Sequence, residues 1–144
     1  MKNNKTDHLL DILKNINNKS HLNKYVNFLE SKENSLELSE YILNISQEKG
    51  LKKIDVINNA NIYRTYGYEI LNGKKLPSRN KLLQICIGNK FTLLETNKSL
   101  TLAKLGVLYA KDPRDSIIIY TISNKISLID TNIILDDHEF NPLV

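Results

Sequence analysis

Apolar residues recur at intervals of three and four along most of this 144-residue chain, and helix-capping residues bound them. One clear stripe contains Leu38, Ile42 and Ile45, and it ends at Lys49-Gly50. This spacing places apolar side chains on one face of a helix, and glycine readily adopts the left-handed conformation that follows a helix end. The pattern therefore predicts an all-α fold, which we expect to contain six to eight helices.

We expect a single helical domain over residues 1–144. Residues 1–34 form an N-terminal extension, with amphipathic helices at Thr6–Ile16 and His21–Glu30. Residues 35–106 form a core, in which Thr92-Leu-Leu-Glu95 is a capping box that opens a helix to about Leu105, ended by Gly106. Residues 107–144 form a C-terminal helical extension. The predicted hydrophobic core consists of Leu38, Ile42, Ile45, Val56, Ile57, Ile62, Ile70, Leu83 and Ile118.

The segment Ser116–Ile129 is rich in isoleucine and threonine, and residue propensity alone favours a β-hairpin turning at Asn124-Lys125. Two cap signals favour helices instead. Asp112-Pro113 is a good helix start, because proline fits the first helical position. Ser127 followed three residues later by Asp130 is another. We therefore predict helices over about 113–124 and 128–136.

The segment Leu51–Pro77 contains two short helical patterns, Lys52–Asn59 and Tyr63–Asn72, joined by Ala60-Asn61-Ile62. Asparagine is second only to glycine in tolerating a left-handed turn. Two short helices joined by a tight turn form a helix-turn-helix. The second helix of such a unit can lie in the major groove of DNA, where each base pair presents a distinct set of donors and acceptors.

Residues 51–90 carry eight lysines and arginines against two acidic residues, a local net charge of +6, whereas residues 1–50 are neutral and residues 91–144 carry −2. A basic block between neutral and acidic flanks is compatible with an anionic partner, of which nucleic acid is the commonest. It is equally compatible with a solvated basic surface.

The sequence LKKIDVINNANIYRTYGYEILNGKKLP, residues 51–77, resembles the XRE (Cro/lambda-repressor-like) helix-turn-helix family without a gap. Its apolar residues fall on the core positions of that family, and Gly73 and Pro77 fall at the exit of the recognition helix. RTYGYEILNGKKLPSRNKLL and the later DPRDSIII are similar to a group of small helix-turn-helix proteins. The resemblance implies a lambda-repressor-like core with extra N- and C-terminal helices.

That resemblance also implies a DNA-binding transcriptional regulator of bacterial or phage type, with double-stranded DNA as partner and Tyr63–Asn72 in the major groove. Arg64 is suited to a bidentate contact with guanine O6 and N7. The lysines are suited to salt-sensitive phosphate contacts. The expected DNA-binding residues are Lys53, Tyr63, Arg64, Thr65, Tyr68, Glu69, Asn72, Lys74 and Lys75.

Four residues depart from the family pattern, and the mildest change is Asn61 at the turn, where the family usually has glycine. Gly67 replaces a β-branched core residue, so we expect Tyr66 or Tyr68 to fill the space. Leu71 stands where the family has glutamate, and Glu69 places an acid where a base-reading amide often sits. These departures leave an alternative, a protein–protein interaction module on a helix-turn-helix scaffold that does not bind DNA. An exposed patch of tyrosines with Leu71 would favour a protein partner, and an open basic face would favour DNA.

The sequence offers no support for catalysis or metal binding. It contains no nucleophile elbow, phosphate loop or histidine–carboxylate arrangement. The histidines are scattered, and the Asp136–Glu139 cluster is interpreted as a solvated helix end. We therefore expect no enzyme activity, no cofactor and no metal, and a buried apolar thiol at Cys86.

No apolar run approaches the roughly 18 residues of a membrane span, and the first residues lack a secretory signal. We therefore expect a cytoplasmic protein without a membrane partner. Cro-type domains bind two half-sites as two-fold dimers, so a homodimer is a further candidate state. The isoleucines at 117–119 make the C-terminal helices its candidate interface, with full burial inside the monomer as the alternative.

Overall fold

The computed structural model describes residues 2–29 and 33–144, and every regular element in these residues is an α-helix. The predicted all-α class is therefore confirmed, although the described part contains nine helices instead of six to eight. The predicted second helix, His21–Glu30, ends at a residue outside the described part. The helices are α1 (Lys2–Lys14), α2 (Lys19–Leu29), α3 (Glu33–Glu48), α4 (Lys53–Ala60), α5 (Arg64–Leu71), α6 (Arg79–Gly88), α7 (Leu93–Leu102), α8 (Pro113–Ser123) and α9 (Leu128–Asp137).

The chain divides into two compact units, Met1–Glu33 and Asn34–Val144. The division falls one residue before the end of the expected N-terminal extension. In the first unit, α1 and α2 line a groove whose walls include Leu9, Ile12 and Tyr25. In the second unit, the remaining helices share one hydrophobic core.

Helix α6 lies at the centre of the second unit and packs against α4, α7 and α9. All six of its residues from Leu82 to Ile87 are buried, as expected for a helix that is covered on every side. The helix approaches α4 so closely that a Cβ atom on Gly88 would overlap the carbonyl oxygen of Asn59. Eight of the nine predicted core residues are buried, and Ile62 is half-buried against the same core.

The C-terminal segment forms α8 and α9, and the β-hairpin that propensity favours is not formed. The side chain of Asp112 accepts a hydrogen bond from the Asp115 amide at 2.9 Å, and that of Ser127 accepts one from the Asp130 amide at 3.1 Å. These caps satisfy amide groups that the first turn of a helix leaves without partners. The predicted helical starts therefore outweigh the β-branched composition.

Six helices end in the same way. A residue with positive φ follows the helix, and the next amide donates back to a carbonyl five residues earlier, as in a Schellman motif. Glycine takes the positive-φ position only after α3 and α5, and the others are Lys90, Lys104, Lys125 and Glu139. The prediction for α7 was therefore wrong in detail, because α7 ends at Leu102 and Lys104, not Gly106, adopts the left-handed conformation.

An ion pair joins the start of α6 to the start of α8. Arg79 donates from Nη1 to Oδ1 and from Nη2 to Oδ2 of Asp115, both at 2.9 Å. The Tyr109 amide also donates to Asp115 Oδ2, at 3.0 Å. Burial alone would raise the pKa of Asp115, but the hydrogen bonds from Arg79 and from the Tyr109 amide outweigh it and hold the pKa below its usual value of 3.8.

The three consecutive isoleucines of α8 belong mainly to the core. Ile118 is fully buried, and Ile117 and Ile119 are half-buried against the same core. The exposed apolar side chains of the C-terminal helices include Ile129 and Ile133, one turn apart on α9. A homodimer through these helices stays a prediction.

Replacing Gly88 with alanine should destabilise the protein by about 1–3 kcal/mol, because the added methyl group meets the Asn59 backbone and no flexible side chain can move aside. Gly106→Ala is the matched control, since a Cβ there has no neighbour within 4 Å and the backbone has no positive φ. Urea unfolding should show a lower midpoint for Gly88→Ala only. Equal midpoints for the two variants would contradict the close contact of α6 with α4.

Stability should also depend on the ionisation of Asp115. Because its pKa is lower in the folded protein than in the unfolded chain, its contribution is complete well above pH 4 and is lost as pH falls through the folded value. Asp115→Asn should therefore lower the unfolding free energy by about 1.5–3 kcal/mol at pH 7. Urea unfolding of both proteins from pH 7 to pH 2 should show this difference shrinking in acid, and a difference that stays constant would refute the assignment.

Candidate nucleic-acid interface

Helices α4 and α5 are each eight residues long and are joined by residues 61–63. Asn61 adopts the left-handed conformation, with φ 53° and ψ 47°, and its amide donates to the Asn58 carbonyl at 3.1 Å. The predicted order of helix, short turn and helix is therefore observed, and asparagine takes the turn position expected of it. Assignment of this pair to a Cro/lambda-repressor type of unit stays a prediction.

Two buried amide side chains of the second unit donate hydrogen bonds to backbone carbonyls of α4. Gln84 Nε2 donates to the Ala60 carbonyl at 3.0 Å, where the turn begins. Asn89 Nδ2 donates to the Val56 carbonyl at 3.1 Å, and Asn89 Oδ1 accepts from Asn59 Nδ2 at 3.0 Å. Neither residue was predicted from the sequence, in which Gln84 is a polar residue inside the apolar stretch Leu82–Ile87 and Asn89 lies two residues after it.

Gly67 is the point at which α5 contacts α4. A Cβ at this position would lie 2.6 Å from Ile57 Cγ1, so the absence of a side chain lets the buried Ile57 pack directly against the α5 backbone. The expectation that Tyr66 or Tyr68 fills a space beside Gly67 is therefore wrong, because Ile57 occupies that space. Both tyrosines are half-buried against the core instead.

Four residues of α5, its C-cap and the start of α4 are here called the α5 row: Arg64, Tyr68, Asn72 and Lys53. The first three are spaced by four residues, which places them along one side of the helix. Arg64 Cζ lies 6.0 Å from the centroid of the Tyr68 ring. Lys53 Nζ donates to Asn72 Oδ1 at 2.6 Å, which leaves the amide Nδ2 as the available donor.

The other predicted site residues surround the α5 row. Tyr63, Thr65, Lys74 and Lys75 are exposed, Tyr63 to 89%, and Lys75 Nζ lies 5.4 Å from the centroid of the Tyr66 ring. Glu69 is half-buried and forms no ion pair within the described part of the chain. Leu71 is 1% exposed, so the apolar patch that would favour a protein partner does not include it.

The three arginines of the chain differ in how their hydrogen-bond donors are engaged. Arg79 binds Asp115 and two carbonyl oxygens, and Arg114 binds the Asn141 carbonyl and Asn80 Oδ1. The guanidinium of Arg64 donates no hydrogen bond to any described residue. Lys90 also donates a hydrogen bond, to the Lys125 carbonyl. The basic block of residues 51–90 therefore contains both cations that bind other parts of the fold and a cation, Arg64, that does not.

The N-terminus of α5 differs from those of its neighbours. Helices α6 to α9 each have a serine, threonine or aspartate side chain as cap, and Asp55 lies in the first turn of α4. The N-cap of α5 is Tyr63, whose side chain makes no capping hydrogen bond, and the first turn of the helix begins with Arg64 and holds no acid. The positive end of the helix dipole is therefore reinforced at the site and not compensated.

Other functional chemistry has less support in the described residues. They contain no group of three or more histidine, cysteine, aspartate or glutamate side chains placed to hold a metal ion. Burial raises the pKa of the Cys86 thiol to about 12, so its reactive thiolate form is strongly disfavoured. No helix in the described ranges is both long enough and apolar enough to cross a membrane.

Comparisons with protein-family models, with curated proteins and with solved structures found no match to this chain.

Proposed function

We propose that this chain is a DNA-binding transcriptional regulator of the Cro/repressor type that inserts α5 into the major groove of duplex DNA. The observation that carries the proposal is Arg64, whose exposed guanidinium donates no hydrogen bond to the described residues and lies at the start of a helix without a side-chain cap. A cation is unfavourable at this end of a helix unless an anion lies nearby. The phosphates and base acceptors of DNA would supply that partner.

The exposed residues divide into two groups by the chemistry they offer. Arg64 presents a planar set of donors that matches guanine O6 and N7, and Thr65 beside it offers a hydroxyl and a methyl group. Lys74 and Lys75 follow the helix on an exposed segment and present ammonium groups suited to phosphate. Asn72, oriented by Lys53, presents its amide donors at the end of the α5 row.

Glu69 is compatible with this arrangement. A carboxylate can accept a hydrogen bond from cytosine N4, and the half-buried position of Glu69 limits its exposure to phosphates. If the protein does not bind DNA, the alternative function, a protein-interaction module, is inferred. It is not advanced as a second proposal, because Leu71 is buried and the nearby Tyr66 and Tyr68 are largely engaged with the core.

Affinity for duplex DNA should fall steeply as salt concentration rises. Three to five phosphate contacts would give a slope of about −3 to −4.5 in a plot of log affinity against log salt, because each neutralised phosphate releases about 0.9 of a counterion. Fluorescence anisotropy with a labelled duplex between low and physiological salt measures the slope. If no duplex binds even at low salt, the regulator proposal fails and a protein partner is favoured.

Arg64 and Lys75 should have separable roles. Arg64→Ala should cost about 1–3 kcal/mol on the preferred site and relax the preference at one base pair. Lys75→Ala should weaken all sequences about equally and reduce the salt slope by about one. Selection from a random duplex library, followed by titrations of single-base variants, measures both effects.

Neither variant should unfold the protein, because both side chains are exposed. Should Arg64→Ala weaken every sequence alike, Arg64 would be only an electrostatic contact. Should it abolish the cooperative thermal transition, Arg64 would be a structural residue, and its assignment to the site would be wrong.

A further inference from the structure

We propose that Tyr68 is a positioning residue that holds the Arg64 guanidinium for reading a guanine. The inference rests on the proposed DNA-binding function and adds to it a residue that sets sequence preference. Arg64 Cζ lies 6.0 Å from the centroid of the Tyr68 ring, one helical turn away. This distance is at the outer limit for a cation–π contact, which for exposed pairs is a weak attraction.

The Tyr68 ring is suited to support Arg64 because the hydrophobic core covers part of it. Its side chain is half-buried and packs against the hydrophobic core, whereas Arg64 is exposed. Arginine carries a large conformational entropy, so an unsupported side chain would have to lose that freedom when it met a base pair. A contact that restricts Arg64 in the free protein removes part of this cost from binding.

The kind of contact matters as much as its strength. The guanidinium is planar, and its five N–H groups lie in that plane, so a ring in contact with its face leaves the donors at its edge free. Arg79 is the opposite case in the same molecule, because its ion pair with Asp115 and two carbonyls occupy its donors. An aromatic support therefore restricts an arginine without removing its ability to read a base.

The chain contains a matched contact that should not set sequence preference. Lys75 Nζ lies 5.4 Å from the centroid of the Tyr66 ring, and Tyr66 is also half-buried against the core. An ammonium group has no plane, and its three donors rotate, so a ring beside it cannot present them in a fixed direction. Tyr66→Leu is therefore a control for the loss of an aromatic ring from the same helix.

The test compares base preference in the wild type, Tyr68→Leu, Tyr68→Phe and Tyr66→Leu, using titrations of the selected duplex and its single-base variants at fixed salt. Tyr68→Leu should reduce the preference at the position read by Arg64 by about two- to fivefold, the equivalent of an exposed cation–π contact of 0.5–1 kcal/mol. Tyr68→Phe keeps the ring and should restore the preference. Tyr66→Leu should leave it unchanged.

The outcomes separate this inference from the proposed function. If the wild type binds no duplex, both fail. If it binds with a preference that Tyr68→Leu retains, only the positioning role of Tyr68 is overturned. If Tyr68→Phe loses the preference as well, the phenol hydroxyl and not the ring is responsible, which also overturns the proposal.

A measurement on the unmodified protein covers the case in which Tyr68→Leu does not fold. In NMR spectra of the free wild type, the side-chain protons of Arg64 should be shifted by the ring current of Tyr68, and its Nε–H group should show restricted motion. Random-coil shifts together with a freely mobile Nε–H group would overturn the proposal.

Discussion

Between Leu82 and Ile87, every side chain of α6 is removed from water, and one of them, the amide of Gln84, binds the backbone carbonyl at the end of α4. Asn89 binds a second α4 carbonyl, that of Val56. A buried amide that lost such a partner would cost on the order of 1–3 kcal/mol. Helices of eight residues are too short to persist alone in water. The position of α4 therefore depends on α6. The position of α5 depends on it indirectly, because Gly67 of α5 packs against Ile57 of α4.

The hydrogen-bond donors of the basic side chains are distributed unevenly over the molecule. Arg79, Arg114 and Lys90 donate to other elements and act as structural ties. Lys49 belongs with them, because its Nζ donates to the Lys90 carbonyl at 3.2 Å. Among the described residues, the side chains of Arg64, Lys74 and Lys75 in the proposed interface donate no hydrogen bond. A count of charges along the sequence cannot distinguish these two groups, since the partners lie 27 to 41 residues away.

Features set by neighbouring residues were predictable from the sequence, and features set by distant contacts were not. The caps at Asp112 and Ser127 act within three residues, so they identified α8 and α9 despite their β-branched composition. The space beside Gly67 was assigned to a tyrosine because the apposed Ile57 lies ten residues earlier on another helix. The predicted site residues lie together around α5 for a local reason, since most belong to one helix and its exit.

The helix ends have a further consequence for how this chain can change. Lysine in the left-handed conformation is strained by about 1 kcal/mol relative to glycine, and Lys90, Lys104 and Lys125 all accept this strain. Two effects offset part of this strain. The positive charge of lysine interacts favourably with the negative end of the helix dipole, and glycine would increase the conformational entropy of the unfolded chain. Lys125 is exposed and lies outside the α5 row, so its strained backbone does not involve the residues of that row. A single lysine-to-glycine substitution at one of these helix ends can therefore shift the balance between strain and charge while α5 itself stays unchanged.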